Sequence, residues 1–263
     1  MTDRTILLAT ETYAPTINGV AISVRQQAKA LREAGYLVRI MTPRQAKAKE
    51  ELAVYRVPSI QLPNPHIYPL TLPLSQFTLT NDYKTALKGV ELIHLQHISF
   101  LTVALLIYAK RHRLPTIYTY HTFLEHYLGR LLVINFLLRP VLRWLTKSFA
   151  NQTDQVIVPT KSVKRYLKEL GVKTKITVVP TGIEVQKYRR GRRSWLEGKH
   201  HIPTDKLIIS YIGRLAQEKN VDLIPTALAP LIEREDWHLL MVGDGPARAN
   251  LEHHFAVLNL TDR

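Results

Sequence analysis

The strongest constraint on the fold is an alternation of short apolar segments with longer segments of helical periodicity. Residues 5–10 form a continuous apolar run, residues 21–34 have a helical pattern, and residues 36–41 form a second apolar run. Such runs are typical of buried parallel strands. Strand, helix and strand in this order predict a βαβ unit, with a loop after the first strand where open α/β sheets bind ligands.

The same alternation continues along the chain and predicts an α/β fold. Residues 55–80 are an exception, because their prolines favour extended strand and loop over helix. The other segments predict strands at 92–95, 116–120, 155–159, 175–179, 207–212 and 237–242, helices at 99–110 and 247–258, a helix that ends near residue 171, and a helix at 221–234 that its two prolines bend or interrupt.

One strand-and-turn segment carries the strongest signal for a ligand. Residues 207–212 form an apolar strand, Gly213 turns the chain, and a helical pattern begins near Asn220. Backbone N–H groups and the helix dipole favour anions at such a position. Arg214 offers a planar guanidinium and Lys219 a point charge, which together suit two adjacent phosphates. The alternative is a surface loop whose two cations are solvated.

Composition narrows the class of protein and of partner. The chain has 263 residues, 46% of them apolar, a net charge of +15 and no cysteine. The lack of cysteine excludes disulfide scaffolds and cysteine-based metal or redox sites, and it suits a reducing cytoplasm. We expect no signal peptide and no spanning helix, because no apolar run approaches roughly 20 residues. The charge predicts an anionic partner: a nucleic acid, an acidic membrane surface or a phosphorylated substrate.

One histidine stands out by its position. His121 follows the predicted strand at 116–120, at the carboxyl end where α/β sheets place ligand-binding groups. The other histidines, including His94 and His97, are assigned ordinary polar or core roles. The chain has no H-E-x-x-H spacing, so no zinc site and no essential metal are expected.

A set of short motifs in a fixed order resembles one enzyme family. Residues 213–219 fit the pattern G-R-L-x-x-E-K with which retaining glycosyltransferases of family 4 open the donor half of their GT-B fold. The set spans nearly the whole chain and is most similar to the diacylglycerol glucosyltransferase branch. The other motifs are Tyr13-Ala14-Pro15, Asn18-Gly19-Val20, Thr119-Tyr120-His121-Thr122, Val158-Pro159-Thr160, Pro180-Thr181-Gly182-Ile183 and Gly243-Asp244-Gly245-Pro246.

The resemblance implies a GT-B architecture of two Rossmann-like domains. We expect an acceptor-binding domain at 1–185, a basic linker at 186–205 and a partial nucleotide-sugar-binding domain at 206–263. Only two strands of the second domain are predicted, and the family's Glu-x7-Glu motif does not follow Gly245. We therefore expect a C-terminally truncated form whose activity on its own is in doubt.

The resemblance also implies roles for individual residues. The loop of Gly19 contacts the donor's phosphate through its backbone, and His121 contacts the sugar that is transferred. Arg214 and Lys219 stabilise the leaving diphosphate without a metal, so these two residues and His121 are the expected catalytic group. The other expected donor-binding residues are Thr181 and Gly182, which line the interdomain cleft, Gly213 in the opening motif, and Gly243 and Gly245, which border the nucleotide.

A candidate membrane surface lies within residues 128–149. The first half is nearly all apolar, and Pro140 suits the first turn of a new helix. An apolar stripe flanked by cations and an aromatic residue predicts a helix in an anionic membrane interface. The alternative is an ordinary amphipathic helix that covers the core. The stripe is Val141, Leu142, Leu145 and Phe149, and the membrane-facing residues are Arg139, Arg143, Trp144 and Lys147.

These observations predict transfer of a hexose, glucose from UDP-glucose, to a membrane lipid such as diacylglycerol, with the retention that the resemblance implies. The expected partners are the nucleotide sugar, the lipid acceptor and an anionic membrane surface, with no nucleic acid. The expected location is cytoplasmic, peripheral on the inner face of the cell membrane. Two alternatives stay open: a soluble family 4 glycosyltransferase acting on a polysaccharide or small sugar, and a non-catalytic basic binding protein.

Overall fold

The computed structural model describes residues 4–45, 48–60, 70–71, 81–121, 132–189, 191, 193–200 and 205–261. The chain forms two compact units, Met1–Ile183 and Glu184–Arg263. Both units combine parallel strands with helices, as the alternation of apolar and helical segments predicts.

The first unit is built on a parallel sheet whose strand order reverses at its first strand. Its strands are β1 (Thr5–Ala9), β2 (Leu37–Pro43), β3 (Val54–Val57), β4 (Ser59–Ile60), β5 (Leu70–Thr71), β6 (Val90–Leu95), β7 (Thr116–Thr119), β8 (Gln155–Val158) and β9 (Ile176–Val178). Among the described residues, seven strands form the sheet in the order β3-β2-β1-β6-β7-β8-β9, and β4 pairs with β5 separately. The reversal between β1 and β6 creates the crevice in which doubly wound sheets bind ligands.

Helices pack on both faces of this sheet. They are α1 (Gly19–Glu33), α2 (Asn81–Leu87), α3 (Phe100–His112), α4 (Leu132–Ala150) and α5 (Lys161–Glu169). Successive residues of a strand point to opposite faces. In β1, Ile6 and Leu8 therefore join the core under α1, whereas Leu7 and Ala9 join the larger core that α2 to α5 cover.

Capping side chains decide where two of these helices begin. Asn18 caps α1, because its Oδ1 accepts the N–H of Ala21 at 2.7 Å. Ser99 and Thr102 form a capping box at the start of α3. Each cap satisfies an N–H group that has no partner inside the helix. With Asn18 as the cap, α1 begins at Gly19, slightly earlier than predicted.

Helix α4 corrects the prediction that a new helix begins at Pro140. The helix is continuous from Leu132 to Ala150, with Pro140 in its interior. An interior proline removes one backbone hydrogen bond and costs about 3 kcal/mol. Pro140 lies on an exposed stretch with Leu138 and Arg139.

The second unit is smaller. Its described strands are β10 (Leu207–Ile212) and β11 (Trp237–Val242), which pair in parallel, and its described helices are α6 (Val185–Tyr188), α7 (Arg193–His200), α8 (Leu223–Leu228) and α9 (Arg248–Val257). Two small apolar cores pack on one face of this sheet, because Ile209 and Tyr211 point the same way and each joins one core.

The segment predicted as a basic linker, residues 186–205, contains α7 and most of α6, and its role as a linker stays a prediction. The predicted interruption of the helix at 221–234 is confirmed, because the elements described there are α8, which contains Pro225, and a 3-10 turn at Ala229–Leu231, which contains Pro230. The predicted helix start near Asn220 is wrong: Asn220 has a left-handed φ of 51°, which asparagine tolerates better than most residues.

Some predicted segments lie partly outside the described residues. In the region 55–80, predicted as extended strand and loop, the described parts are β3, β4 and β5, and residues 61–69 and 72–80 lie outside. Thr122 of the motif around His121 and residues 128–131 of the predicted apolar segment also lie outside the described part.

Candidate functional site

The N-terminus of α1 follows β1 at the point where the strand order reverses. Gly19 is its first residue, and a Cβ added there would meet no atom within 4 Å. Packing therefore does not require glycine, and open space leaves the backbone accessible to a ligand. The first N–H groups of a helix lack intrahelical partners, so this end suits an anionic group.

The ends of β6 and β7 carry a row of polar side chains on the α1 side of the sheet. His94 Nε2 lies 2.7 Å from Thr119 Oγ1, and His121 Nε2 lies 2.6 Å from Gln96 Oε1. Gln96 Nε2 donates to Gln27 Oε1 on α1 at 3.0 Å. His121, which follows β7, is thus connected by hydrogen bonds to the helix that begins at Gly19.

Burial keeps the histidines of this region uncharged. It lowers the pKa of His121 to about 4. Burial, together with the proximity of His121, lowers the pKa of His94 and of His97 to about 3. His97 Nδ1 accepts the backbone N–H of Glu11 at 3.3 Å, and its ring centroid lies 6.2 Å from that of His121. At neutral pH the imidazoles of this site are therefore uncharged, and each can donate one hydrogen bond and accept one, as a hydroxyl group also can.

A buried carboxyl group lies beside these histidines. Glu11 follows β1, and burial raises its pKa to about 7, although hydrogen bonds with Ser99 and Thr71 lower it in part. Thr71 Oγ1 donates to Glu11 Oε1 at 3.5 Å. A carboxyl group with such a pKa can hold or release a proton near neutrality.

Sequence reasoning missed several members of this group. Glu11, Gln96 and Gln27 were not singled out, and His94 and His97 were assigned ordinary roles. A usable signal existed for Glu11, Gln96 and His97, because each follows a predicted strand next to the switch point, where open α/β sheets bind ligands.

In the second unit, the turns after β10 and β11 are hydrogen-bonded to each other. The N–H of Gly213 donates to Val242 O, that of Leu215 to Asp244 O, and that of Ala247 to Leu215 O, each at 3.0 Å. These three backbone hydrogen bonds hold the two turns together at the carboxyl ends of β10 and β11.

Glycine is required where these two turns meet. A Cβ at Gly243 would collide with the carbonyl oxygen of Gly213, and a Cβ at Gly245 would collide with that of Leu215. Such close approach of two backbones is a position that only glycine allows. The structure therefore brings Gly213, Gly243 and Gly245 together and gives each of the last two a packing role.

The two predicted donor-site cations lie at the same end of β10. Arg214 Nη1 is 3.6 Å from Glu218 Oε1, and both side chains are largely exposed. The carbonyl of Arg214 accepts the hydroxyl of Tyr211 at 3.0 Å, which fixes the turn. Lys219 is exposed at the end of the 3-10 turn Gln217–Lys219. An exposed ion pair contributes only ~0–1 kcal/mol, so a phosphate can replace Glu218 as the partner of Arg214.

Thr181 and Gly182 lie near the end of the first unit. Both are exposed, and a Cβ at Gly182 would meet no atom within 4 Å. Their part in donor binding stays a prediction.

The predicted membrane-facing residues lie on the exposed side of α4. Trp144 is 62% exposed, and Arg139 and Arg143 are exposed beside it. Val141 and Leu145 are also exposed, and at 3.6 residues per turn they lie across the helix from the two arginines, with Trp144 between the two rows. The exposed surface of α4 therefore carries cations, one indole and aliphatic side chains.

Two residues predicted to belong to the membrane surface of α4, Lys147 and Phe149, have other neighbours in the fold. Lys147 is exposed, but its Nζ lies 2.8 Å from the position that a Cβ of Gly171 would occupy, so it covers the turn after α5. Phe149 is buried in the core against Tyr118, with ring centroids 5.0 Å apart. The apolar stripe predicted to face the membrane therefore divides, and its last member belongs to the core.

The described part of the chain shows neither a membrane-spanning helix nor a cluster of metal-binding side chains. None of its helices is both long and apolar enough to cross a membrane. None of its histidine, cysteine, aspartate and glutamate residues form a group of three that could hold a metal ion.

Two family models match the chain. Residues 17–187 match Glycosyltransferase Family 4, and residues 194–263 match Glycosyl transferases group 1. The chain belongs to glycosyltransferase family 4. This membership confirms the resemblance that the ordered motifs indicate.

Two curated relatives of this glycosyltransferase chain are similar over most of its length. Alpha-monoglucosyldiacylglycerol synthase from Streptococcus pneumoniae is 28% identical over 97% of this chain. GDP-mannose-dependent alpha-mannosyltransferase from Corynebacterium glutamicum is 27% identical over 94% of it. The chain spans 59% of the length of each relative.

A solved structure shares the fold of this family 4 chain. The sucrose-phosphate synthase of Thermosynechococcus elongatus has a TM-score of 0.76 at 20% identity, over 99% of this chain and 69% of that one. The predicted fold class, α/β with GT-B type Rossmann-like units, is confirmed.

Proposed function

We propose that the complete protein transfers a hexose from a nucleotide sugar to a hydroxyl group of a membrane lipid. In this proposal the donor is UDP-glucose, the acceptor is a lipid such as diacylglycerol, and the anomeric configuration is retained. Family membership supports glycosyl transfer as the reaction class. The similarity to an alpha-monoglucosyldiacylglycerol synthase supports the sugar and the acceptor.

The observation that carries the proposal is the joined pair of glycine turns after β10 and β11. Their backbones are in contact, and Arg214 and Lys219 are exposed beside them. Negative charge grows on the diphosphate as the sugar leaves. Preorganised cations and N–H donors stabilise such charge more in the transition state than in the ground state, and this difference accelerates the reaction.

The first unit supports the sugar-binding part of the proposal. His121 is neutral because burial lowers its pKa to about 4, so it suits a hydrogen bond with a sugar hydroxyl and not an ion pair. The open N-terminus of α1 at Gly19 suits a phosphate of the donor. These groups require no metal ion.

The exposed side of α4 supports a lipid acceptor. Its cations can bind anionic headgroups, and Trp144 and the aliphatic side chains next to it can enter the boundary between headgroups and acyl chains. The net charge of +15 adds a general attraction to an acidic surface. We therefore propose peripheral attachment to the cytoplasmic face of the cell membrane, and no nucleic acid as a partner.

The test uses the complete protein, vesicles that contain diacylglycerol and a panel of nucleotide sugars. We expect turnover of UDP-glucose and about 100-fold or more loss of kcat in Arg214→Ala, which is the effect of removing one donor that stabilises transition-state charge. Arg234→Ala is the matched control, because Arg234 is also exposed and paired, with Asp236. Near-normal turnover of Arg214→Ala would rule out its assigned role.

A second candidate acts on a different donor and a soluble acceptor. The similarity to the GDP-mannose-dependent mannosyltransferase, which is almost as high as that to the lipid enzyme, favours the different donor. Turnover of GDP-mannose with a water-soluble sugar, without vesicles, would replace the first proposal. A complete protein that bound duplex nucleic acid and turned over no donor would instead favour the non-catalytic basic binding protein.

A further inference from the structure

We infer that Gln96 and Gln27 are positioning residues that fix the tautomer of His121 and thereby the chemical class of group it binds. The two amides hold the His121 proton on Nε2 and leave Nδ1 as a hydrogen-bond acceptor, so a substrate group that meets Nδ1 must be a hydrogen-bond donor, which for the proposed substrate is a sugar hydroxyl. This inference rests on the proposed function for its substrate, and its geometry lies entirely in the first unit.

The direction of the hydrogen bonds follows from the two amide groups. Gln96 presents its oxygen to His121 Nε2 at 2.6 Å and its NH2 to Gln27 Oε1 at 3.0 Å. Gln27 in turn donates through Nε2 to Ser23 Oγ at 3.3 Å. An amide oxygen can only accept. His121 Nε2 must therefore carry the hydrogen in this arrangement.

Burial makes this arrangement costly to disturb. Gln96 is only 1% exposed, and a buried amide that loses a partner costs about 1–3 kcal/mol. His121 is neutral because burial lowers its pKa to about 4. A neutral imidazole with its proton on Nε2 has a lone pair on Nδ1. A phosphate or carboxylate oxygen offers no proton to that nitrogen, whereas a hydroxyl does.

The connection also links two parts of the proposed donor site in this unit. Gln27 and Gly19 belong to the same helix, α1, and Gln27 contacts the side chain that holds His121. A displacement of α1 at its N-terminus would therefore change the hydrogen bond that orients the imidazole. The two glutamines couple the phosphate-binding end of a helix to the group that holds the sugar.

The test measures the tautomer directly. The 15N shifts of the histidine rings in the 263-residue chain distinguish Nε2–H from Nδ1–H, and His121→Gln assigns the signal. We expect Nε2–H for His121 in the wild type, and a mixture of tautomers in Gln96→Leu. Gln96→Glu places a carboxylate at Nε2, which favours the charged imidazole, so the pKa of His121 should rise above its wild-type value.

Kinetics of the complete protein provide the second measurement. We expect Gln96→Leu to lower kcat/KM roughly tenfold or more, as expected for the loss of one buried hydrogen bond. Gln155→Leu is the matched control: it makes the same change in β8, where Gln155 donates to Thr177 Oγ1 at 2.9 Å, away from His121. It should leave both the tautomer and kcat/KM close to wild type.

Two results would overturn the inference. One is a wild-type His121 with its proton on Nδ1, which would mean that the amides are oriented the other way. The other is a Gln96→Leu variant that is folded and indistinguishable from Gln155→Leu. If Gln96→Leu does not fold, Gln96→Glu decides the question through the pKa of His121. The tautomer is readable whether or not the protein is a transferase, so failure of the proposed function is recognised separately.

Discussion

At the scale of single residues, Gly19 and Gly243 both belong to the family motifs, but they occupy their positions for different physical reasons. Gly243 is where the backbones of two turns meet, and a side chain there would strike the carbonyl of Gly213. Gly19 has open space where a side chain would be. The first glycine is explained by packing alone. The second is not, and we propose that it lets a ligand approach the backbone.

This difference predicts opposite outcomes for two alanine substitutions. Gly243→Ala should lower the free energy of unfolding of the second unit by about 1–3 kcal/mol, because the turns must separate to admit a methyl group. Gly19→Ala should change it by less than about 0.5 kcal/mol but weaken donor binding by the complete protein. Thermal unfolding and donor titration measure the two effects, with Gly191→Ala as a control at another open position. Normal stability of Gly243→Ala would contradict the packing role.

Single residues also show how far the sequence alone can be interpreted. His121 could be selected because it follows an apolar run, which is a local feature. Gln27 could not, because its partner Gln96 is distant in sequence and the contact depends on how α1 packs across β6. Sequence patterns report which face of a helix is buried, but they do not report which polar atoms that packing brings together.

At the scale of elements, α4 contributes to the core and to an exposed surface. Its last turn packs Phe149 against Tyr118, while Trp144 and two arginines face outward. The indole of Trp144 is 62% exposed. We propose that this exposed surface lies in a membrane interface, where an interfacial helix buries apolar side chains flanked by cations.

This division of α4 predicts the effect of a double substitution on membrane binding. Arg143→Glu with Trp144→Ala should reduce flotation with anionic vesicles roughly tenfold or more, because each basic residue near the surface contributes about 1 kcal/mol and the indole adds to it. Arg234→Glu with Trp195→Ala is the matched control, since it changes charge and exposed aromatic area equally in the second unit. Equal flotation of the two double variants would contradict an interfacial role for α4.

Elements differ in how well the sequence predicts them. All the described strands except β3, β4 and β5 were predicted individually, because a parallel strand of this kind is a short apolar run. The region of β3, β4 and β5 was predicted only as extended strand and loop. The effects of Pro140 and Pro225 on their helices were harder to predict. The first lies inside a continuous helix whose exposed side tolerates it, and the second lies within a helix of six residues. A proline marks a probable boundary, and its surroundings decide whether the helix ends there.

At the scale of the whole molecule, the chain carries a net charge of +15 and buries titratable groups near the switch point of its first sheet. Acidification adds charge to the unfolded chain more readily than to the folded one, because the pKa of His94 and of His97 is about 3 and that of His121 about 4, against an ordinary 6.5. Their contribution to stability is complete above pH 6.5 and is lost as the pH falls towards 4 and 3.

The ionisation of Glu11 changes the free energy of unfolding with pH in the opposite direction. Its folded pKa of about 7 lies above the ordinary 4.5, so its contribution is complete below pH 4.5 and is lost as the pH rises through 7. Between pH 6.5 and 4.5, acidification therefore lowers the stability contribution of these three histidines and raises that of Glu11. We therefore expect the free energy of unfolding of the first unit to fall on acidification across this range, measured by urea unfolding at several pH values.

A substitution separates this mechanism from general repulsion between positive charges. Glu11→Gln removes the one opposing group, so its stability should fall more steeply than that of the wild type between pH 6.5 and 4.5, whereas repulsion alone would leave the slopes alike. His97→Gln removes one of the three histidines and should make the slope shallower. Parallel curves for the wild type and both variants would mean that these buried groups do not set the pH dependence of the fold.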